Sequence, residues 1–469
     1  MATLTIDARS LFHISCPPNS PHILPVNAEP AAMDARPGRT PKRTRQTKML
    51  PAISIAVVAT LFLTLLFLNL RAGEKQIRYQ LEHRFAVADP QFVRSMNHLL
   101  GPGILAGNRI TALQNGDEIF PAMLGAIRAA RETITFETYI YWSGEVGREF
   151  SEALCERARA GVKVHVLLDA VGTGKMEAKH LDDLKAAGVE VERYHPIHWY
   201  SLARINNRTH RKLLVVDGRV GFTGGVGIAD LWSGHAQDRE HWRDAHYRLE
   251  GPAVAQMQAA FSDNWIKTRA QVLFGSAYFP ELKAVGDSPA QVFKSARGEG
   301  SESVRLMYLL SIASAVKSVR LQAAYFVPDD LAIETFVAAC RRGVKIEIIV
   351  PGPHMDAKIV QSASRSLWGA LLDAGVRIYE YEPTMYHCKV MIVDDLWVSV
   401  GSTNFDDRSF RLNDEANLNI YDAAFAAAQV RVFDEDKAKA RQMTRAEFKD
   451  RSKAGKLWEE IAGTLRRQL

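Results

Sequence analysis

The stretch HRKLLVVDGRVGFTGG (210–225) has a counterpart in HCKVMIVDDLWVSVGSTN (387–404). Both fit His-x-Lys-x4-Asp, with Gly-Gly or Gly-Ser at the same offset beyond the aspartate. Leu-Leu-Val-Val and Val-Met-Ile-Val read as strands. Side chains two apart on a strand share a face, so His210 and Lys212 point one way, as do His387 and Lys389. Asp217-Gly218 is a strong hairpin-turn signal and Asp394-Asp395 a weaker one. With two-residue loops, Gly225 falls opposite His210 and Ser402 opposite His387, so each histidine gains a small neighbour and space for a phosphate. One such motif is expected by chance on the order of 0.03 times in a chain of this composition. Two copies at equivalent positions exclude accident. Homologous core histidines would leave the adjacent lysines unexplained, because lysine is seldom buried unpaired.

The duplication extends outward. ARAGVKVHVLLD (158–169) matches CRRGVKIEIIVP (340–351), each a helix end, a glycine stop and a buried strand. LKAAGVEVERYHP (184–196) matches LLDAGVRIYEYEP (371–383), and 119–139 and 304–326 both read as helix then strand. The fold class is therefore α/β, in two units of ordinary domain size. The expected boundaries are 108–270 for the first repeat, 271–303 for a linker, 304–433 for the second repeat and 434–469 for a charged helical tail. Leu457, Ile461 and Leu465 give that tail an apolar face suited to docking on the body or lying at a membrane surface, docking being the expectation.

Ahead of the repeats, 1–48 is basic and proline-rich and reads as disordered. PAISIAVVATLFLTLLFLNL (51–70) is twenty residues without a charge, long enough at about 1.5 Å per residue to cross a bilayer core. A transmembrane helix is expected over 49–71, with 72–107 as a juxtamembrane segment. Six basic residues (Arg36 to Lys48) precede the span and four (Arg71, Lys75, Arg78, Arg84) follow it, a bias toward an inside N-terminus. The 469 residues are 47% hydrophobic and 24% charged, which excludes wholesale disorder. A net charge of +6 permits an anionic partner without identifying one. Cys16, Cys155, Cys340 and Cys388 lack C-x-x-C spacing, which argues against a disulfide scaffold or a cysteine zinc site.

These paired motifs resemble those of the phospholipase D superfamily, over about residues 108–433. YIYWSGEVGREF (139–150), AYFVPDD (324–330) and FDDRSFRLNDEANL (405–418) are similar to its bacterial cardiolipin synthase branch. The resemblance implies an α/β/α sandwich in each half, with both motifs meeting at one site. A neutral imidazole can attack phosphorus and a protonated one can donate to the leaving alkoxide. By family analogy His210 is the nucleophile and His387 the acid that later becomes the base; the residues alone leave that order open. Lys212 and Lys389 would offset phosphoryl charge, with Gly225, Ser402 and Asn404 around the phosphate. Asp217 and Asp394 belong to the catalytic motifs, but their place at the turns reads as organising the hairpins. Asp244 and Glu415 match family acidic residues and are expected to orient the histidines. The phosphohistidine route needs no metal and no cofactor. Gly227 departs from the asparagine that many cardiolipin synthases carry there, removing one possible phosphate donor. Gly172-Thr173-Gly174-Lys175 lacks the full phosphate-loop pattern and reads as an ordinary loop.

The resemblance implies phospholipid substrates, phosphatidylglycerol first, and placement at a bacterial inner membrane with the catalytic region outside the cytoplasm. The alternatives are a hydrolase of phospholipid or nucleic acid and a non-catalytic membrane module. Near-balanced charge beyond the first 50 residues argues against a nucleic-acid groove, and intact His-Lys pairs argue against a dead module. The first repeat has ten more residues than the second between the Gly188/Gly375 turn and its histidine. That aromatic, basic insertion, which includes HWYSLARINN (198–207), is the candidate head-group selector; it and VLFGSAYF (272–279) read as lipid contacts or equally as buried core or subunit interface.

Overall fold

The computed structural model describes residues 53–64, 79–196, 207–296 and 303–464. The chain divides into two units, Met1–Arg71 and Ala72–Leu469. In the first, a helix over 53–64 exposes apolar side chains such as Ile55 and Val58. Among the described residues no helix is long and apolar enough to cross a membrane. The rest of the expected span, the proline-rich 1–48 and most of the head-group insertion (197–206) lie outside the described residues.

Seven strands of the first repeat lie side by side in the order Leu105–Gln114, Ala245–Glu250, Val220–Gly224, Leu213–Val216, Thr133–Thr138, Lys163–Asp169 and Glu190–Tyr194. The second repeat lays down Ser288–Ser295, Glu415–Tyr421, Trp397–Gly401, Lys389–Val393, Ser318–Ala323, Lys345–Pro351 and Arg377–Tyr381 in the same order, then Ala440–Met443 at the edge. Antiparallel pairing of Leu105–Gln114 with Ser288–Ser295 fuses both halves into one 15-stranded sheet. The stretch 271–303 is therefore more than a linker: it holds the first strand of the second repeat. The tail likewise contains an edge strand as well as helices.

Strand alternation builds the layers. Leu214 and Val216 face an outer core with Phe120, Phe136 and Phe150. Leu213 and Val215 face inward, into a core shared with Val390 and Ile392 of the second repeat. Met391 and Val393 face the opposite outer core. Each such burial stabilises by about 1.5–3 kcal/mol, and a one-residue slip would move every side chain to the wrong layer. The segment after residue 79 is not a bare tether, because Val87, Phe92, Met96 and Leu100 pack into the outer core of the second repeat, with Phe92 edge-on to Trp397 at 5.2 Å.

Both motif turns are one residue longer than the expected two. Val216 pairs with Val220 and Val393 with Trp397, so neither Gly225 nor Ser402 lies directly across from its histidine. Asp217 and Gly218 both have positive φ (50° and 60°), as do Asp394 and Asp395 (53° and 54°). The Asp217 carboxylate accepts from the backbone N–H groups of Arg131, Glu132 and Thr133, at 2.8–3.2 Å. Asp394 does the same for Val316, Lys317 and Ser318, at 2.7–2.9 Å. Each carboxylate thus locks the hairpin to the turn that launches the neighbouring strand. Asp217→Ala would strand three donors and is expected to cost about 2–4 kcal/mol, given that hydrogen bonds to charged groups contribute about 1.5–3 kcal/mol each. A thermal-unfolding midpoint equal to the parent's would contradict this role.

The tail docks, but by a different face from the expected one. Helix Lys453–Thr464 buries Ala462 with Val327, Met355, Val360 and Met385, while Leu457, Trp458 and Ile461 stay exposed. Leu465 lies outside the described residues.

Candidate active site

His210 and His387 each sit one turn of extended chain before a central strand. The segments that carry them are held by the opposite repeat. The His210 N–H donates to the Asp414 carbonyl at 2.9 Å, and the His387 N–H to the Arg243 carbonyl at 2.8 Å. Thr209 bridges to Asp414 and Arg243 to Tyr386 in parallel fashion. Both histidines line one cavity of about 490 Å³.

The same crossing orients the rings. Glu415, from the second repeat, places both carboxylate oxygens 3.0 Å from Nδ1 of His210. Asp244, from the first, places Oδ2 2.6 Å from Nδ1 of His387. With Nδ1 occupied as a donor, the lone pair of a neutral ring lies on Nε2, which at His387 is also 3.1 Å from Lys389 Nζ. Neither carboxylate is loose. Glu415 accepts from Ser402 Oγ at 2.5 Å; Asp244 accepts from Trp232 Nε1 at 3.0 Å and from the Ala245 N–H at 2.8 Å. Burial pushes both carboxyls up, but the adjacent histidine and lysine outweigh it and hold each below its ordinary value.

Lys212 donates to the His210 carbonyl at 2.9 Å and lies over the Tyr139 ring. Lys389 Nζ is 3.1 Å from both ring nitrogens of His387 and donates to its carbonyl at 2.6 Å. Burial drives His210 down to about 4 and Lys212 down to about 7, and lowers His387 and Lys389 as well. Lys212 and Lys389 beside the two histidines supply donors suited to a phosphodiester, while the Glu415 and Asp244 carboxylates are taken up by the imidazole rings. Asn404 lines the cavity, and its side-chain oxygen has no hydrogen-bond partner among the described residues.

The remaining expected site residues sit elsewhere. Asp217 and Asp394 do not line this cavity among the described residues. Neither do Gly225 and Ser402, and their positions are explained by the carboxylates. A Cβ on Gly225 would lie 2.2 Å from Asp244 Oδ1, so glycine makes room for the group that holds His387. Ser402 takes the corresponding place as a donor to Glu415. Gly227 is equally constrained: a Cβ there would lie 2.8 Å from Ile140 Cβ and 3.1 Å from the Trp232 ring. Those side chains fill the volume that an asparagine would need. Gly227→Asn is therefore expected to lower both the unfolding midpoint and the activity, overpacking costing about 1–3 kcal/mol. A gain in activity without loss of stability would refute this.

Several contributors escaped the sequence reading. Tyr139 packs edge-on to His210 at 5.3 Å, and Trp232 and Trp242 flank His387 at 5.5 and 5.4 Å. Asp169 ties the motif segment to the loop after its own strand, accepting from the N–H groups of Val171, Gly172 and Thr209. That loop carries Lys175 to the cavity wall, over the Trp142 ring at 3.9 Å. The aromatic richness of 139–142 and the lysine after Gly172-Thr173-Gly174 were the available signals.

A duplicated α/β fold with paired histidines and lysines in one cavity defines a phospholipase D-type protein. The family described as cardiolipin synthase, PLD-like domain, matches residues 123–265 and 308–437, and the chain belongs to it. Cardiolipin synthase 2 of Bacillus cereus is 36% identical over 327 residues, 69% of this chain and 63% of that protein. The chain thus spans a little under two thirds of that relative's length. Cardiolipin synthase of Geobacillus kaustophilus is 34% identical over 361 residues, 76% of this chain and 72% of the relative. Among solved structures, phosphatidylserine synthase of Haemophilus influenzae superposes with a TM-score of 0.62 at 14% identity, covering 81% of this chain and 99% of that one, a likeness of fold.

Proposed function

We propose that the protein joins two phosphatidylglycerol molecules into cardiolipin and releases glycerol through a phosphohistidine. The observation that carries this is two histidines in one cavity, each with Nδ1 held by a carboxylate from the opposite repeat. Nε2 of His210 attacks phosphorus, and His387 gives its proton to the departing glycerol oxygen. His387 then takes the proton of a second phosphatidylglycerol hydroxyl, whose oxygen displaces His210. The 2.6 Å Asp244 contact at His387 supports a proton on that ring against burial and the adjacent Lys389, which act the other way; the acid role is assigned to His387 by likeness to the family. Lys212, Lys389 and Asn404 surround the phosphoryl oxygens. The uncharged stretch 51–70 would anchor the chain in a bacterial inner membrane, with the catalytic unit outside the cytoplasm. Incubating the protein with phosphatidylglycerol vesicles tests the reading: cardiolipin and glycerol are expected, and phosphatidic acid alone would make it a hydrolase.

The pH dependence follows from the protonation states that the reaction requires. His210 must be neutral to attack, and protonation removes it below about 4. Lys212 must be charged to hold phosphate, and in the free enzyme it loses its proton above about 7. The kcat/KM profile is expected to be bell-shaped, its acid limb set by His210 and its alkaline limb by loss of a proton from Lys212 or from the acid His387, which burial and Lys389 hold below its ordinary value. Bound phosphate favours charged Lys212, so the alkaline limb of kcat should lie at higher pH than that of kcat/KM. Coincident alkaline limbs would remove Lys212 from the phosphate.

A further inference from the structure

The loops that follow Lys163–Asp169 and Lys345–Pro351 are equivalent in the two repeats, and each brings one charged side chain to the cavity wall. The first supplies Lys175. The second supplies Asp356, whose carboxylate accepts from the Tyr325 hydroxyl at 2.7 Å and from the Ala357 N–H at 2.7 Å. Tyr325 in turn lies edge-on to His387, with ring centroids 6.4 Å apart. Asp406, another carboxylate on the wall, is buried and turned to the Ser409 N–H. Asp356 is thus the exposed carboxylate among the described lining residues.

An ionised carboxylate offers about four acceptor positions. Asp356 uses two of them on Tyr325 and Ala357, which leaves acceptor capacity open to the cavity. Its charge repels a second phosphate, while its oxygens suit hydroxyl donors. The alcohol that resolves the phosphohistidine must present its O–H to His387, and Asp356 stands on that side through Tyr325.

We propose that Asp356, positioned by Tyr325, binds a second hydroxyl of the incoming alcohol, so that the site selects a vicinal diol as acceptor. This rests on the phosphatidyl-transfer reading. In the resolving step the alcohol O–H proton passes to His387, the O–P bond forms, and the bond from phosphorus to Nε2 of His210 breaks. Glycerol and 1-propanol, which differ by the extra hydroxyls, are matched probes. The full-length protein would be given unlabelled phosphatidylglycerol with isotope-labelled glycerol, with 1-propanol and with both in competition, and transfer scored as labelled phosphatidylglycerol against phosphatidylpropanol. Asp356→Ala is expected to lower the glycerol-to-propanol transfer ratio about tenfold, and Asp356→Asn, which keeps one acceptor oxygen, by less. Tyr325→Phe should shift the ratio in the same direction, since it frees the carboxylate to turn away. Because the ratio is internal to each sample, partial unfolding does not move it. A ratio unchanged in Asp356→Ala overturns the subsite while leaving phosphatidyl transfer standing. Phosphatidic acid from the parent enzyme whatever the alcohol overturns both.

Discussion

His210→Ala is expected to lower phosphatidyl transfer on the order of 10^5-fold or more and to leave no covalent adduct. Loss of a nucleophile removes the reaction path itself, whereas loss of a general acid removes about 10²–10⁴-fold. His387→Ala should therefore behave differently, even though the two rings share a cavity and similar burial. With phosphatidylglycerol it should lose about 10³–10⁴-fold, because the glycerol oxygen departs without a proton. With a phosphatidyl ester of 4-nitrophenol, whose leaving group needs no proton, the His387 variant should form the phosphohistidine at His210 and then stall for want of a base. Acid-labile label trapped on His387→Ala and absent from His210→Ala would fix the order of roles. Label on His387 in the His210 variant would reverse it.

That assignment marks the limit of what the sequence contains. The repeat was legible because its strands are continuous apolar runs with glycine stops, as in Lys163–Asp169 and Lys345–Pro351. Their joining into one sheet was not, because Ser288–Ser295 reads as a short stretch between turn-rich segments and its partners lie far away in sequence. The His-Lys pairs were legible as a motif. Their carboxylates could be named by likeness alone, since Glu415 lies 205 residues from His210 and Asp244 lies 143 from His387. No local pattern encodes a crossing between repeats. Gly225 illustrates the consequence: its small size was visible, but the group needing the space is the Asp244 carboxylate, not a phosphate. The turns failed for a local reason. Asp217 and Asp394 reach back to three backbone donors each, and the ladder resumes one residue later than the dipeptides alone suggest.

The crossing makes the second large effect separable into its two halves. Asp244→Asn and Glu415→Gln keep the shape of each carboxylate and remove its charge. Each is expected to cost about 10²–10⁴-fold with phosphatidylglycerol, the upper end being the loss when the carboxylate behind a reacting histidine becomes an amide. Their responses to the leaving group should diverge. Asp244 holds His387, so its replacement weakens protonation of the departing oxygen, and the 4-nitrophenyl ester should restore most of the rate of adduct formation. Glu415 holds His210, so its replacement weakens attack on phosphorus, and the activated ester should restore little. Glu415 also takes the Ser402 hydroxyl at 2.5 Å, so Ser402→Ala should give a milder version of the Glu415 phenotype and none of the Asp244 one. Thermal midpoints would be measured alongside, because removing charge from a buried carboxylate alters stability as well as tautomer. If both variants responded alike to the activated ester, the two carboxylates would be supporting the cavity as a whole, and the pairing of each with one chemical step would be wrong.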